Sequence, residues 1–226
     1  MLIIIKKRNI KKMKIKENYK VVSIDKFQCK QWLLKKHYAK RMCSISYSFG
    51  LFNNKNILVG VCTFGYSANF NFNDGKCIFE NYKCLTLELN RLITEDNLEK
   101  NVLSFFVSQS LKKLPSPSCV VSYSDQGQNH YGYIYQATNF LYTGISECIE
   151  KRNKYNLHSR HLKNKKDINF EKIKSIKHRY IFFNGNKKEI KNMKTNFKYE
   201  ILPYPKGENK KYDASFQTIK QIVLFI

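Results

Sequence analysis

Along the chain, apolar positions change period several times, and each change marks an expected element. Residues 21–24 form a short apolar run suited to a strand. Asp25 follows as a helix N-cap, and Gln28, three residues on, completes a capping box. In the helix so begun, Phe27, Leu33, Leu34 and Tyr38 return at helical spacing, which leaves Lys30, Lys35 and Lys36 for the solvent side. Residues 45–52 and 57–64 are β-rich runs separated by Asn53, Asn54, Lys55 and Asn56. Asn tolerates left-handed backbone angles, so this segment predicts a hairpin.

After an irregular stretch at 66–82, residues 84–94 read as a strand. Residues 97–114 read as a helix with Val102, Phe105, Phe106 and Leu114 on or near one face, ended by Pro115 and Pro117. The apolar run 119–124 suits a central strand covered on both faces. A helix is expected over 131–141, stopping before Gly144; at 100° per residue Tyr131, Tyr135 and Tyr142 fall together and Tyr133 faces elsewhere. Residues 145–151, 179–183 and 199–202 predict further strands, and 222–226 an edge strand or helix end. The order β-α-β-β-β-α-β-α-β defines an α/β fold with a mixed central sheet flanked by helices. With no repeat and no Pro/Gly-rich linker, a single domain is expected over 19–206, with an extension at 1–18 and a tail at 207–226.

Charge adds a partner to this picture. The 226 residues hold 41 Lys and Arg against 17 Asp and Glu, a net +24. Residues 1–18 carry +6 and 150–211 carry +13, whereas the 131 residues between carry only +5. Codon drift toward Lys basifies a chain evenly; charge gathered in the flanks fits phosphate contacts on nucleic acid. The seven cysteines are odd in number and none stands in a Cys-x-x-Cys pair, which points away from a disulfide framework and a thiolate zinc site. His158 and His161 make too small a set for a metal, so no metal site is assigned. A reducing cytoplasm is the expected compartment. The runs at 1–5 and 222–226 are too short to span a membrane, and Met13 is an alternative start.

Three clusters carry candidate chemistry. Glu88, Asn90 and Arg91 interrupt an apolar strand, where polar side chains are costly unless paired or facing a cleft; a structural Glu–Arg pair is the alternative. Ser122, Tyr123, Ser124 and Asp125 end a central strand, the place where open α/β sheets bind ligands. Asp125 there is an acid–base or amine-orienting candidate, with a helix cap as the alternative. The third is the aromatic segment 130–140, where a buried tyrosine is ordinarily core with its hydroxyl satisfied. His37 and Tyr38, followed by Lys40 and Arg41, close the first helix, and a His can shuttle protons near neutrality.

Together these segments resemble the Mom family of phage DNA-modification proteins, divergent relatives of the GNAT N-acetyltransferase superfamily. The resemblance runs over about 19–206 and is carried by these stretches: His37-Tyr38; Val59-Gly60-Val61 with Phe64-Gly65; Glu88-Leu89-Asn90-Arg91-Leu92; Asn101 with Ser104; Val120 to Asp125; and His130 to Phe140 with Tyr142-Thr143-Gly144. A looser match continues at Lys177-His178-Arg179-Tyr180 and Pro203 to Lys206. The resemblance implies a GNAT-like catalytic domain that transfers a small acyl or carbamoylmethyl-type group to the exocyclic amine of adenine in double-stranded DNA. It further implies protection of phage DNA from restriction, in the cytoplasm of the host cell. Carried over by position, its catalytic candidates are His37, Tyr38, Arg91, Ser104, Asp125 and Tyr135, with Glu88, Asn90, Tyr123, His130 and Asn139 as substrate contacts. One departure concerns the donor. The glycine-bearing pyrophosphate loop expected after the Glu88 strand is replaced here by Thr94-Glu95-Asp96-Asn97-Leu98-Glu99-Lys100-Asn101. Acids oppose pyrophosphate at a helix N-terminus, so the donor is left open between an acyl-CoA and an aminoacyl carrier. The alternatives are a conventional acetyltransferase acting on a protein or small-molecule amine, and a non-catalytic DNA-binding protein.

Overall fold

A computed structural model describes residues 15–67, 72–126, 129–152 and 171–208. Most of the N-terminal extension, His158, His161 and the 222–226 run lie outside the described residues. In chain order the elements are β1 (Tyr19–Ser23), α1 (Lys26–Gln31), a π-helical turn (Trp32–Lys36), β2 (Tyr47–Asn53) and β3 (Leu58–Gly65). Next come β4 (Leu85–Thr94), α2 (Val102–Lys112), β5 (Ser118–Asp125), α3 (Tyr133–Ala137), β6 (Leu141–Arg152), β7 (Glu171–Asn184) and α4 (Lys187–Thr195). The strands make one seven-stranded sheet in the order β1-β2-β3-β4-β5-β7-β6. The β4–β5 pairing is parallel and the others are antiparallel.

Helices cover both faces of this mixed sheet. On one, Val102, Phe106, Val107 and Leu111 of α2 and Tyr135 of α3 pack on Cys62, Phe64, Leu87, Leu89, Val120 and Tyr180. Side chains alternate along a strand, so the neighbours of these residues serve the opposite face. There Cys29, Trp32 and Leu33 meet Phe52, Leu58 and Val61, and Met193 of α4 meets Cys119, Val121, Ile181 and Phe183.

Local signals hold where they are self-contained. Asp25 accepts the Phe27 N–H and its backbone N–H bonds Gln28, closing the capping box. In the hairpin, the Asn53 side chain accepts the N–H groups of Lys55 and Ile57, and Asn56 takes φ 55°. Four expectations are corrected. The buried stripe of the first helix is Cys29, Trp32, Leu33 and Lys36, whereas Phe27, Leu34 and Tyr38 are exposed. The second helix begins at Val102, not 97, because Asn101 sits at φ 75° and breaks the turn before it. The helix expected over 131–141 is only Tyr133–Ala137, bounded by Gly132 at φ 69° and Asn139 at φ 62°, so Tyr142 lies on β6. Residues 199–202 form no strand of the sheet; they come after α4, which the hydrophobic pattern does not reveal.

Candidate active site

The site forms where two neighbouring strands separate. β4 and β5 pair only from Leu85 with Ser118 to Glu88 with Val121. Beyond that point β4 continues beside β3 and β5 beside β7. At the point of parting, the Ser122 hydroxyl donates to the Leu89 carbonyl at 2.9 Å, a side chain standing in for the lost ladder. The β3–β4 register also shifts here: Thr63 faces Arg91 and Phe64 faces Leu89, which leaves Asn90 in a bulge. A bulge re-aims the side chains around it.

The bulged Asn90 is bonded to three residues of the neighbouring segments. Its Oδ1 accepts from the Thr63 hydroxyl (2.6 Å) and the Cys43 thiol (3.3 Å), and its Nδ2 donates to the Ser44 carbonyl (2.7 Å). Asn90 therefore ties the 43–44 loop to the strand. Its neighbour Arg91 is 9% exposed and gives one terminal nitrogen to the Asn90 carbonyl, while its buried Nε has no partner among the described residues.

A π-helical turn delivers the other side of the site. Such turns insert one residue into a helix and re-aim the side chains beyond it; here the His37 N–H bonds back to the Trp32 carbonyl at 3.0 Å. His37 Nδ1 then accepts the Ala39 N–H at 3.0 Å. Burial, and after it the charges of Arg91, Arg41 and His130, pushes the His37 pKa down to about 3. The ring is thus neutral, with its proton on Nε2, which makes that nitrogen a hydrogen-bond donor. Tyr38 stacks beside it, ring centroids 4.4 Å apart. Although 39% of Tyr38 is exposed, its hydroxyl is raised above the ordinary tyrosine range, first by burial and then by Asp125.

From β5 and beyond come Asp125, opposite Lys177 of β7, and Tyr135, whose buried hydroxyl shares a hydrogen bond with Ser122. Burial raises the Tyr135 phenol, so it keeps its proton. Burial also lowers His130, against the opposing pull of Asp125. Glu88 is raised by burial, and this is partly offset by a hydrogen bond from Ser67 and by Arg91, Lys177 and Arg41. These mutual influences join His37, Tyr38, Glu88, Arg91, Asp125, His130 and Tyr135 into one cluster. It holds two carboxylates, neutral protonated donors and the cations Arg41, Arg91 and Lys177.

The remaining expected site residues lie otherwise. The Ser104 hydroxyl donates to the Asn101 carbonyl in the first turn of α2. Tyr123 packs with the α4-side core, and Asn139 is the exposed left-handed residue that ends α3. The structure adds Arg41, Cys43, Ser67 and Lys177. Arg41 and Lys177 stand in segments that the sequence marks; Cys43 and Ser67 carry no signal there, since their partners are distant along the chain. Among the described residues no group of three or more His, Cys, Asp or Glu could hold a metal ion, and no helix is long and apolar enough to cross a membrane.

A family model described as the Mom protein family matches residues 18–206. The methylcarbamoylase Mom of Escherichia phage Mu is 29% identical over 193 residues, spanning 76% of this chain and 77% of its own. Among solved structures, Arabidopsis thaliana NAA60 in complex with acetyl-CoA is 10% identical with a TM-score of 0.47, covering 74% of this chain and 99% of that one. A GNAT-family acetyltransferase from Bacillus cereus is 12% identical with a TM-score of 0.40, covering 73% and 96% respectively.

Proposed function

The chain belongs to the Mom protein family, and from that premise we propose that it transfers a small acyl or carbamoylmethyl-type group to the exocyclic amine of adenine in double-stranded DNA. Protection of phage DNA from restriction is the role this chemistry would serve. The observation that carries the reading is that β4 and β5 part beside Glu88 and short of Asp125, with Glu88 in electrostatic reach of Arg91 and Tyr135, and Asp125 of Tyr38.

The chemistry demands such a set. Adenine's amine is a poor nucleophile because its lone pair is delocalised, and in a duplex it is paired and stacked. The base must first be extruded, at a cost of a few kcal/mol. A new N–C bond then forms between the amine nitrogen and the donor carbon, while the bond from that carbon to its carrier breaks. The amine proton passes to a carboxylate. Asp125 is assigned to orient or deprotonate the amine, with Glu88, whose burial strengthens its hold on a proton, as its companion. Tyr135 and Tyr38 retain their protons, so either can protonate the leaving group or polarise the donor carbonyl. Arg91 contributes fixed positive charge where oxyanion charge develops.

The donor, acyl-CoA or aminoacyl carrier, belongs to the same proposal. Glu95 in the acidic 94–101 loop is neutralised by Lys36 at 2.6 Å, and Asp96 lies 3.9 Å from the same ammonium. This lessens the loop's opposition to a phosphate-bearing carrier. To test the function, the protein is expressed with a plasmid and the DNA is digested to nucleosides for mass spectrometry. A mass-shifted deoxyadenosine is expected with the wild type and none with Asp125→Ala. Unmodified deoxyadenosine beside folded wild-type protein would refute the reading, as would full modification by both Asp125→Ala and Tyr135→Phe.

A further inference from the structure

Two cations follow one another on β7, on the side of the sheet that bears α4. Across the β5–β7 ladder Lys177 faces Asp125 and Arg179 faces Tyr123. Side chains alternate along a strand, so Lys177 and Arg179 share a face with Ile181 and Phe183, which pack with Met193 of α4. Lys177 is within electrostatic reach of Glu88 and Tyr38. Arg179 stands two residues, about 7 Å, further along the strand, and the mechanism does not use it.

The Arg179 guanidinium is fixed on a face and on one edge. It lies over the Tyr199 ring, 3.7 Å from the centroid. Its Nε donates to the Thr143 hydroxyl at 2.9 Å, and Nη2 donates to the Thr143 carbonyl at 3.0 Å. Nη1 bonds none of the described residues and is not one of their buried unsatisfied atoms, so it reaches solvent. No described carboxylate pairs with this cation. Stacking on a ring leaves the charge intact, and a fork already held by protein loses little freedom when it meets an anion. The outward edge is therefore set for an oxyanion such as phosphate, which takes charge-assisted bonds from a guanidinium. Of the two phosphate-bearing partners, the donor's carrier is expected at the 94–101 loop. That loop leads into α2, which packs on the opposite face of the sheet. The α4 face is left to the nucleic acid.

We propose that Arg179 anchors a backbone phosphate of the DNA strand that carries the reacting adenine, beside the point where the base leaves the stack. Gripping the backbone there holds the extruded nucleotide in register with Asp125, one row away on the same face. This rests on the DNA-modifying reading above and adds to it the residue that positions the strand.

The test uses the full chain and a short duplex with one adenine opposite an abasic position, where the unpaired base fixes the register and costs little to extrude. Phosphates of the adenine strand are replaced singly by neutral methylphosphonates, and binding is measured for the wild type and Arg179→Gln. At one phosphate flanking the adenine, neutralisation should weaken wild-type binding about tenfold, the worth of a hydrogen bond to a charged group. In Arg179→Gln the same neutralisation should cost nothing further, and the salt dependence should be shallower by about one unit. A merely structural Arg179 would weaken binding to every duplex alike, so additive losses at all positions overturn the anchor. Tyr199→Leu, which removes the stack, should bind the all-phosphate duplex less tightly than Tyr199→Phe. Should Arg179→Gln fail to fold, the wild-type scan still decides, because an equal loss at every position, or none at any, overturns the proposal. Lowered affinity for coenzyme A in Arg179→Gln with duplex affinity unchanged would give the cation to the donor and overturn it too. Plasmid left without modified base by the wild type would refute the catalytic reading alone, since the phosphate scan reads binding.

Discussion

Burial raises the Glu88 carboxyl above its ordinary value of 4.5, while Ser67 and the nearby cations pull the other way without cancelling the effect. A carboxyl raised in the folded state holds its proton longer than in the unfolded chain, so stability from this group is lost as pH climbs past the unfolded value. At neutral pH Glu88 is therefore a destabilising residue. Glu88→Gln is expected to raise the melting temperature while reducing DNA modification, and thermal scans beside nucleoside analysis check both directions. With Glu88 in its proposed role as companion base, the same substitution should remove an acid-side limb from the activity profile. His37 behaves oppositely. Its folded value near 3 lies below the ordinary 6.5, so between those limits the unfolded chain binds a proton that the folded chain refuses. Its contribution is complete above 6.5 and is lost as pH falls toward 3. In His37→Asn, whose side-chain oxygen can still accept the Ala39 N–H, urea-unfolding midpoints measured between about pH 4 and about pH 7 should vary less than in the wild type.

Among the elements, the π-helical turn has effects beyond its five residues. It turns Lys36 inward, where the ammonium lies 5.3 Å from the Trp32 ring and bonds Glu95 after β4. The Lys36 side chain is 3% exposed and that of Glu95 36%, so the pair is worth less than a wholly buried one. Lys36→Met is expected to cost about 2 kcal/mol in urea unfolding, the usual loss for a hydrogen bond to a charged group. A change near zero would show that Glu95 is equally well hydrated without it. This turn also shows why the sequence is only partly legible. The capping box at Asp25 and the asparagine loop at 53–56 are complete within a few residues, so composition reveals them. The inward face of α1 escapes the pattern because a buried lysine is intelligible only with Glu95, 59 residues away, in view. The polar residues within β4 and at the end of β5 stand out because apolar strands seldom carry them. Their convergence, and the bonding of Asn90 to the 43–44 loop, depend on a bulge that no local pattern announces.

For the molecule as a whole, charge and seam matter most. Helix α4 presents Lys187, Lys188, Lys191 and Lys194 to solvent, part of the basic C-terminal portion. If this face grips DNA phosphate, exchanging all four for Gln should flatten the dependence of log affinity on log salt by roughly one unit for each phosphate no longer neutralised. Binding isotherms on a short duplex at several salt concentrations would measure it, and an unchanged slope would place the grip elsewhere. The seam is the parallel β4–β5 junction, four residue pairs long. It joins one antiparallel block, β1 to β4, to another made of β5, β7 and β6. His37, Tyr38, Glu88 and Arg91 are attached to the first block; Asp125, His130, Tyr135 and Lys177 to the second. The groups assigned to the proposed reaction therefore sit at the narrowest joint in the sheet, with half of them on either bank. Two blocks so joined are natural units of partial opening. In native-state hydrogen exchange, the amides of Leu87 and Val121 at the joint should lose protection before those of β3 or β7. Mild denaturant should accordingly abolish chemistry while both banks are still folded, making activity a more sensitive gauge of the joint than any measure of secondary structure.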